Sequence, residues 1–181
     1  MKHLIQPREL YGPPERREEF TRCWNINDTL FDKVTELIGR PTFAQMFAMC
    51  LPDHLNVIAN SDIHFDDTLP TKIPEGHIYA LSRYDKRGDT LVPWHGRDSQ
   101  DAWMVQGGPW HIQADFTMGI PGCDNVIAHV LSKDFRLSNP CMSIRAIHLH
   151  ESGYRTYGEG RGKPKMFRLQ PPYHFVYPCS L

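Results

Sequence analysis

The sequence is short of several things that would narrow its function at once. Its five cysteines, Cys23, Cys50, Cys123, Cys141 and Cys179, are odd in number and scattered, and no CxxC pair occurs. That argues against both a disulfide framework and a thiolate zinc site. An excess of one charge is missing too. The formal net charge is -1, so nothing in the overall balance draws the chain to nucleic acid or to an anionic membrane. No apolar run approaches the length of a membrane span, and the opening residues MKHLIQPREL carry no signal-like apolar core. A reduced, cytoplasmic setting is expected. There is no internal repeat, low-complexity tract or linker.

What is present is ordinary globular material. With 181 residues, 40% of them hydrophobic and 23% charged, the chain is long enough for one domain with a real core. Fifteen prolines and thirteen glycines imply many turns and short elements rather than a helical bundle.

A β-α-β-α-β order is expected in the first third. His3-Leu4-Ile5 reads as a strand. Pro13-Pro14 followed by ERREEFTRCW opens a helix, and Phe31–Ile38 reads as a second strand. Pro41 starts the helix FAQMFAMC, and the apolar run at Val57-Ile58-Ala59 is a buried third strand. That order predicts an α/β fold with a mostly parallel sheet and crossover helices. Downstream, strands are expected at His77–Arg83, Ala102–Gln106 and Ser143–His150, with Ile144, Ala146, His148 and His150 on one face of the last. The segment Tyr84–Arg97 reads as a polar loop and candidate lid. NVIAHVLSKDF has its apolar residues at helical spacing. The segment after Tyr157 is basic, then rich in proline and aromatics, and has no clear place.

Three segments put reactive groups where strands meet loops. The third strand stops at Asn60-Ser61-Asp62. An acid at the carboxyl end of a buried strand suits a ligand site and can hold a divalent cation, although capping the following turn would need the same residue. Asp124 follows Gly122 at the start of a helix, as an N-cap or as a general base. His148 and His150 fall on one face of a strand, where metal ligation and ordinary packing are equally good explanations. Asp62 with an imidazole and water would suit Mn²⁺ or Mg²⁺. Arg40, Arg155 and Lys163 are available to phosphate, or are solvated surface charges.

NSDIHFDDTL, YALSRYD, SQDAWMVQGG, DFTMGIPGCDNVIAHVL and NPCMSIRAIHLHESGYRTY together resemble a family of small glycosyltransferase-like proteins of bacteria and viruses. The order also resembles the larger GT-A fold, which binds nucleotide-sugars. That resemblance implies a single Rossmann-like GT-A domain. Residues 1–66 would form the nucleotide-sugar half, 67–157 the acceptor and catalytic half, and 158–181 a C-terminal tail. It also implies roles. NSD resembles the GT-A metal motif DxD, with Asn60 in place of the first acid, so Asn60 and Ser61 would face the donor and Asp62 the metal. GCDN resembles the position of the acidic base in inverting enzymes, which points to Asp124, with Asp101 of SQDAW as an acceptor-side partner. HLH resembles the late metal-binding histidine, leaving His148 and His150 both open. Arg40, Arg155 and Tyr157 would contact the donor, a UDP-sugar first among the choices.

The expected function is therefore metal-dependent, inverting transfer of a sugar from a nucleoside diphosphate to an acceptor hydroxyl. The acceptor would be a glycan or a hydroxymethylated base in viral DNA. Two other classes use the same residues. A metal-dependent hydrolase or nuclease would need Asp62, Asp124 and the histidines. A non-catalytic carbohydrate-binding protein would instead use Trp94, Trp103 and Trp110 as a stacking surface.

Overall fold

The computed structural model describes residues 1–9, 11–154 and 168–181. Arg155, Tyr157 and Lys163 lie outside the described residues. The first half follows the expected alternation: β1 (Lys2–Arg8), α1 (Pro14–Asp28), β2 (Lys33–Ile38), α2 (Phe43–Ala48), β3 (Leu55–Ala59) and the short β4 (Ile63–His64). Then come β5 (His77–Leu81), β6 (Arg83–Arg87), β7 (Thr90–Pro93), β8 (Ala102–Gln106), α3 (Cys123–Leu131), β9 (Arg136–Ser138) and β10 (Ala146–His148).

Among the described residues the strands form two sheets. The larger has six strands in the order β2-β1-β3-β8-β5-β9, and the smaller has four in the order β4-β10-β6-β7. β1 runs parallel to both β2 and β3, and β5 runs parallel to β9. β8 is antiparallel to both of its neighbours, β3 and β5. The architecture is thus α/β with a mixed sheet. The antiparallel insertion of β8 departs from the largely parallel sheet expected from the first three strands.

Period-two patterning explains why the large sheet is buried on both faces. Leu4, Val57, Tyr79, Leu81 and Met104 point into one cluster with Phe31, Phe65 and Ile144. Their neighbours Ile5, Ile58, Ile78, Ala80, Trp103 and Val105 point into the other, which α2 and α3 cover with Phe43, Met46, Phe47, Ile127 and Leu131. Every residue of β3 is buried, as befits a strand flanked on both sides.

Two expectations need correction. Tyr84–Arg97 is not a loop throughout: β6 and β7 form an antiparallel hairpin, Asp85 opposite Val92 and Lys86 opposite Leu91. The connection is the two-residue Gly88-Asp89, with Gly88 at φ 59°, a left-handed conformation that glycine adopts without steric cost. The last strand is also shorter than Ser143–His150, because β10 is paired only from Ala146 to His148. The 168–181 segment runs beside α3 and β9: Leu169 N–H donates to Pro121 O, His174 N–H to Asn125 O, and Cys179 N–H to Asn139 O.

Candidate active site

A cleft lies where β1 and β3 end and the small sheet begins. Asn60, Ser61 and Asp62 leave the carboxyl end of β3, and Pro7 and Glu9 sit at the end of β1. Arg16 comes from α1, Arg83 from β6, Asp101 precedes β8, His148 ends β10 and His150 lies two residues beyond it; all line the cleft, together with Tyr11, Arg40 and Tyr154. Its volume is about 170 Å³. Among the described residues three carboxylates line it; Glu9 is paired with Arg40, and the chemistry divides between Asp62 and Asp101.

Around Asp62 the network is dense and largely buried. Its Oδ2 accepts from Arg16 Nη2 at 2.5 Å and lies 3.1 Å from His148 Nε2. His148 Nδ1 is in turn 2.9 Å from Asp85 Oδ1, so the imidazole is held between two acids. Arg16 also donates to Glu19 at 2.7 Å and to Leu149 O at 3.1 Å. The guanidinium is only 6% exposed, with Glu19 at 4% and Asp62 at 15%. Glu19 closes the network by accepting from the Ser152 hydroxyl and backbone. Burial works against a charged Asp62, but the neighbouring His148 and Arg16 outweigh it and hold the carboxyl well below the usual range. His148 moves the other way. Burial disfavours its charge, yet Asp62 prevails and raises its pKa. The pKa of His150 is lowered by burial and by the nearby Arg16 and His148 charges.

Asp62, His148 and His150 each offer a ligand atom, and the three lie within 4.8 Å of one another. The donor set fits a divalent cation on chemical grounds. Asp85 on the far nitrogen of His148 is the usual orienting partner of a ligating imidazole. His150 Nε2 is 2.8 Å from Tyr154 O, which leaves Nδ1 to face a ligand. Arg16 occupies Oδ2 of Asp62, so a cation there would share that carboxylate with a guanidinium.

Asp101 is the second carboxylate of the cleft wall, 7% exposed. It accepts from Asn60 Nδ2 at 3.1 Å and from Arg83 Nη1 at 3.2 Å. Arg83 also donates from Nε to Asp85 at 2.8 Å, which ties the two carboxylate regions together. Asn60 is thus a donor to Asp101. A second acid at that position would place a like charge against Asp101, a local reason for an amide where the DxD pattern has a carboxylate. The Ser61 hydroxyl donates to Pro7 O at 3.0 Å and is buried.

Asp124 begins α3 but is absent from the cleft lining. Its Oδ1 accepts from the Cys123 thiol at 3.3 Å. Burial, then the charge of Asp101, pushes its pKa up to about 8, so at neutral pH this carboxyl is mostly protonated. Arg40 reaches the cleft from beyond β2, 3.4 Å from Glu9 and 2.9 Å from the Tyr11 hydroxyl. Burial and the adjacent Glu9 push that phenol up to about 12.

Several site residues escape a reading of the sequence alone. Arg16 looks like one charge in the solvated run ERREEF. Its signal is phase: Arg16, Glu19, Phe20, Cys23 and Asn27 recur at helical spacing and form the buried stripe of α1. Arg83 and Asp85 share a face of β6, and the one local signal for that hairpin is the Gly88-Asp89 turn, because the charged run RYDKR carries no strand pattern.

No protein-family profile, curated protein or solved structure matches the chain. Among the described residues, no helix is long and apolar enough to cross a membrane.

Proposed function

We propose that this chain is a glycosyltransferase on a small GT-A-type scaffold. It would move a sugar from a nucleoside-diphosphate donor, a UDP-sugar first among them, to an acceptor hydroxyl. The observation that carries the reading is one cleft in which two of the three lining carboxylates, Asp62 and Asp101, are held in unlike ways. Asp62 is locked among Arg16, His148 and His150, and Asp101 stands opposite within reach of Arg83 and Asn60.

On this reading the donor diphosphate lies against the cation at Asp62 and against Arg40, whose guanidinium lines the cleft and suits phosphate oxygens. Arg16 and Arg83 stay engaged with their carboxylates and hold the cleft in shape. Asp62 with His148 and His150 would hold Mn²⁺ or Mg²⁺, which supplies charge neutralisation for the leaving diphosphate. A volume of about 170 Å³ suits that diphosphate and its counter-ions, with nucleoside and sugar extending beyond it. Asp101 is the carboxylate on the cleft wall, so we place it at the acceptor hydroxyl as general base. The acceptor oxygen would bond to the anomeric carbon while the bond to the diphosphate breaks on the opposite face, inverting the centre. Asp101 takes the hydroxyl proton. Asp124, adjacent and protonated at neutral pH, keeps a second negative charge away from Asp101 and takes up charge as pH rises.

The test is a panel of nucleotide-sugars with and without Mn²⁺, read by thermal shift and by release of nucleoside diphosphate. Binding to the folded state raises its stability by mass action. One donor should raise the transition temperature in a Mn²⁺-dependent way and be hydrolysed or transferred. The reading fails if no nucleoside diphosphate binds with Mn²⁺ and no nucleotide-sugar is turned over.

A further inference from the structure

Trp94 is the one tryptophan of the chain placed at the surface. Trp103 is fully buried, at 0% exposure. Trp110 packs edge-on against Phe135 at 5.0 Å and donates to Gly107 O. Trp24 stacks on Phe20 at 6.4 Å, with the Arg8 guanidinium 4.7 Å from its ring centre. Trp94, just past the end of β7, is 40% exposed.

An indole left in water gives up much of the apolar burial that tryptophan can contribute. Trp94 is nonetheless fixed in place by three contacts. Its backbone N–H donates to Arg83 O at 2.9 Å, extending the hairpin ladder by one rung. The Arg83 guanidinium lies over the ring, 5.2 Å from its centre. Finally, the indole Nε1 edge rests against Gly96 so closely that a Cβ there would collide with it, and would also sit 2.8 Å from Asp98 Oδ1. Glycine is what allows this approach.

The same Arg83 that stacks on Trp94 donates to Asp101. An exposed, immobilised aromatic surface therefore stands one side chain away from the carboxylate of the cleft wall. We propose that Trp94 is the platform for a saccharide acceptor. The apolar C–H face of a sugar ring would lie on the indole face that Arg83 leaves uncovered, its hydroxyls would meet Asp98 at the indole edge, and the reacting hydroxyl would reach past Arg83 to Asp101. This rests on the reading of the cleft as a glycosyl-transfer site and names its acceptor class. A nucleobase could stack on the same ring, but the charge around it favours the sugar. Asp98 lies beside the indole edge at Gly96, the Arg83 charge is matched by Asp85 and Asp101, and the nearby Arg97 lies over Phe175 and Tyr177 at 4.9 and 5.3 Å. A phosphate backbone would need free cations there.

The test uses the full chain and two independent probes. Saccharide binding is read by saturation-transfer NMR with maltose, lactose, chitobiose and mannobiose. Nucleotide binding is read by calorimetry with UDP and Mn²⁺. At least one disaccharide should bind the wild type saturably. Trp94→Ala should weaken that binding roughly tenfold or more, and Trp94→Phe, which keeps an aromatic face, by only about threefold. Gly96→Ala, which displaces the ring without removing it, should weaken it as well. UDP binding should stay within about twofold in all three variants. The proposal is overturned if none of the four sugars binds, or if Trp94→Ala binds them as the wild type does. It is equally overturned if a single-stranded DNA oligonucleotide binds in a Trp94-dependent way and the sugars do not. Loss of UDP binding in the wild type would instead overturn the donor reading, so the two failures are distinguishable.

Discussion

Asp62 and Asp101 line the same cleft and are stabilised in different ways. Asp62 sits in a closed circuit of charge. Arg16, His148, Asp85 and Glu19 satisfy one another at 2.5–3.1 Å with little exposure. The result is a carboxylate that stays ionised far into acid. Asp101 is held by one arginine and one amide. Next to it Asp124 is pushed the other way, up to about 8. Asp62 and Asp124 thus have their proton affinities pushed in opposite directions by their surroundings. On the proposed reading, Asp62 is the fixed negative charge that would hold a cation, and Asp124 is the neighbour of Asp101 that titrates near pH 8.

The sharpest way to break this comparison is at Arg16. Arg16→Ala would take the ion-pair partner from the buried Glu19 and leave Asp62 with His148 alone. Removing one member of a buried ion pair costs about 3–5 kcal/mol. Urea unfolding at pH 7 should show a loss of that order, whereas Arg22→Ala, which breaks the exposed pair with Glu151, should cost under about 1 kcal/mol.

A smaller effect, with a definite pH signature, is expected at Asp124. Its folded-state pKa is raised, so it favours the folded state when protonated. That stability is fully present below the unfolded value and is lost as pH rises through about 8. Asp124→Asn should remove the loss. The variant should gain on the order of 1–3 kcal/mol over wild type between pH 4 and pH 9, seen by following the unfolding midpoint across that range. Turnover by the wild type should change through the same interval near pH 8. Asp62 has the opposite sign. Its depressed pKa contributes stability above the unfolded carboxylate value, lost on acidification below it.

Asn60→Asp tests the amide between the two regions. Restoring the first acid of a DxD pattern would replace a hydrogen-bond donor to Asp101 with a like charge. A loss of about 1–2 kcal/mol is expected at pH 7, shrinking as pH falls and the acids protonate. Asn60→Ser, which keeps a donor, should cost less.

How far the sequence discloses this site follows from the same physics. Apolar runs announce themselves, so Val57-Ile58-Ala59 and Ala102–Gln106 are legible as strands, and with the first the acid just beyond its end, Asp62, whereas Asp101 is singled out only by the resemblance. The small sheet was not. Its hairpin, RYDKR against TLVP, carries polar residues on half-buried strands. Ladder pairing and ion pairs to His148 and Asp101 hold it, and neither produces hydrophobic periodicity. Arg16 was hidden for a related reason. A buried arginine needs its acids close in space, and Asp62 lies 46 positions away in the chain. The antiparallel β8 was unreadable because strand direction is set by pairing across the sheet, which local patterning does not encode.

The division of labour within the cleft is tested most directly by calorimetric titration of UDP, with and without Mn²⁺, into the wild type, Asp62→Asn and Asp101→Asn. If Asp62 holds the cation and Asp101 serves the acceptor, Asp62→Asn loses the Mn²⁺-dependent part of UDP binding, roughly tenfold or more in affinity, while Asp101→Asn binds as the wild type does. Equal losses in both variants, or Mn²⁺-dependent binding that survives Asp62→Asn, would contradict it.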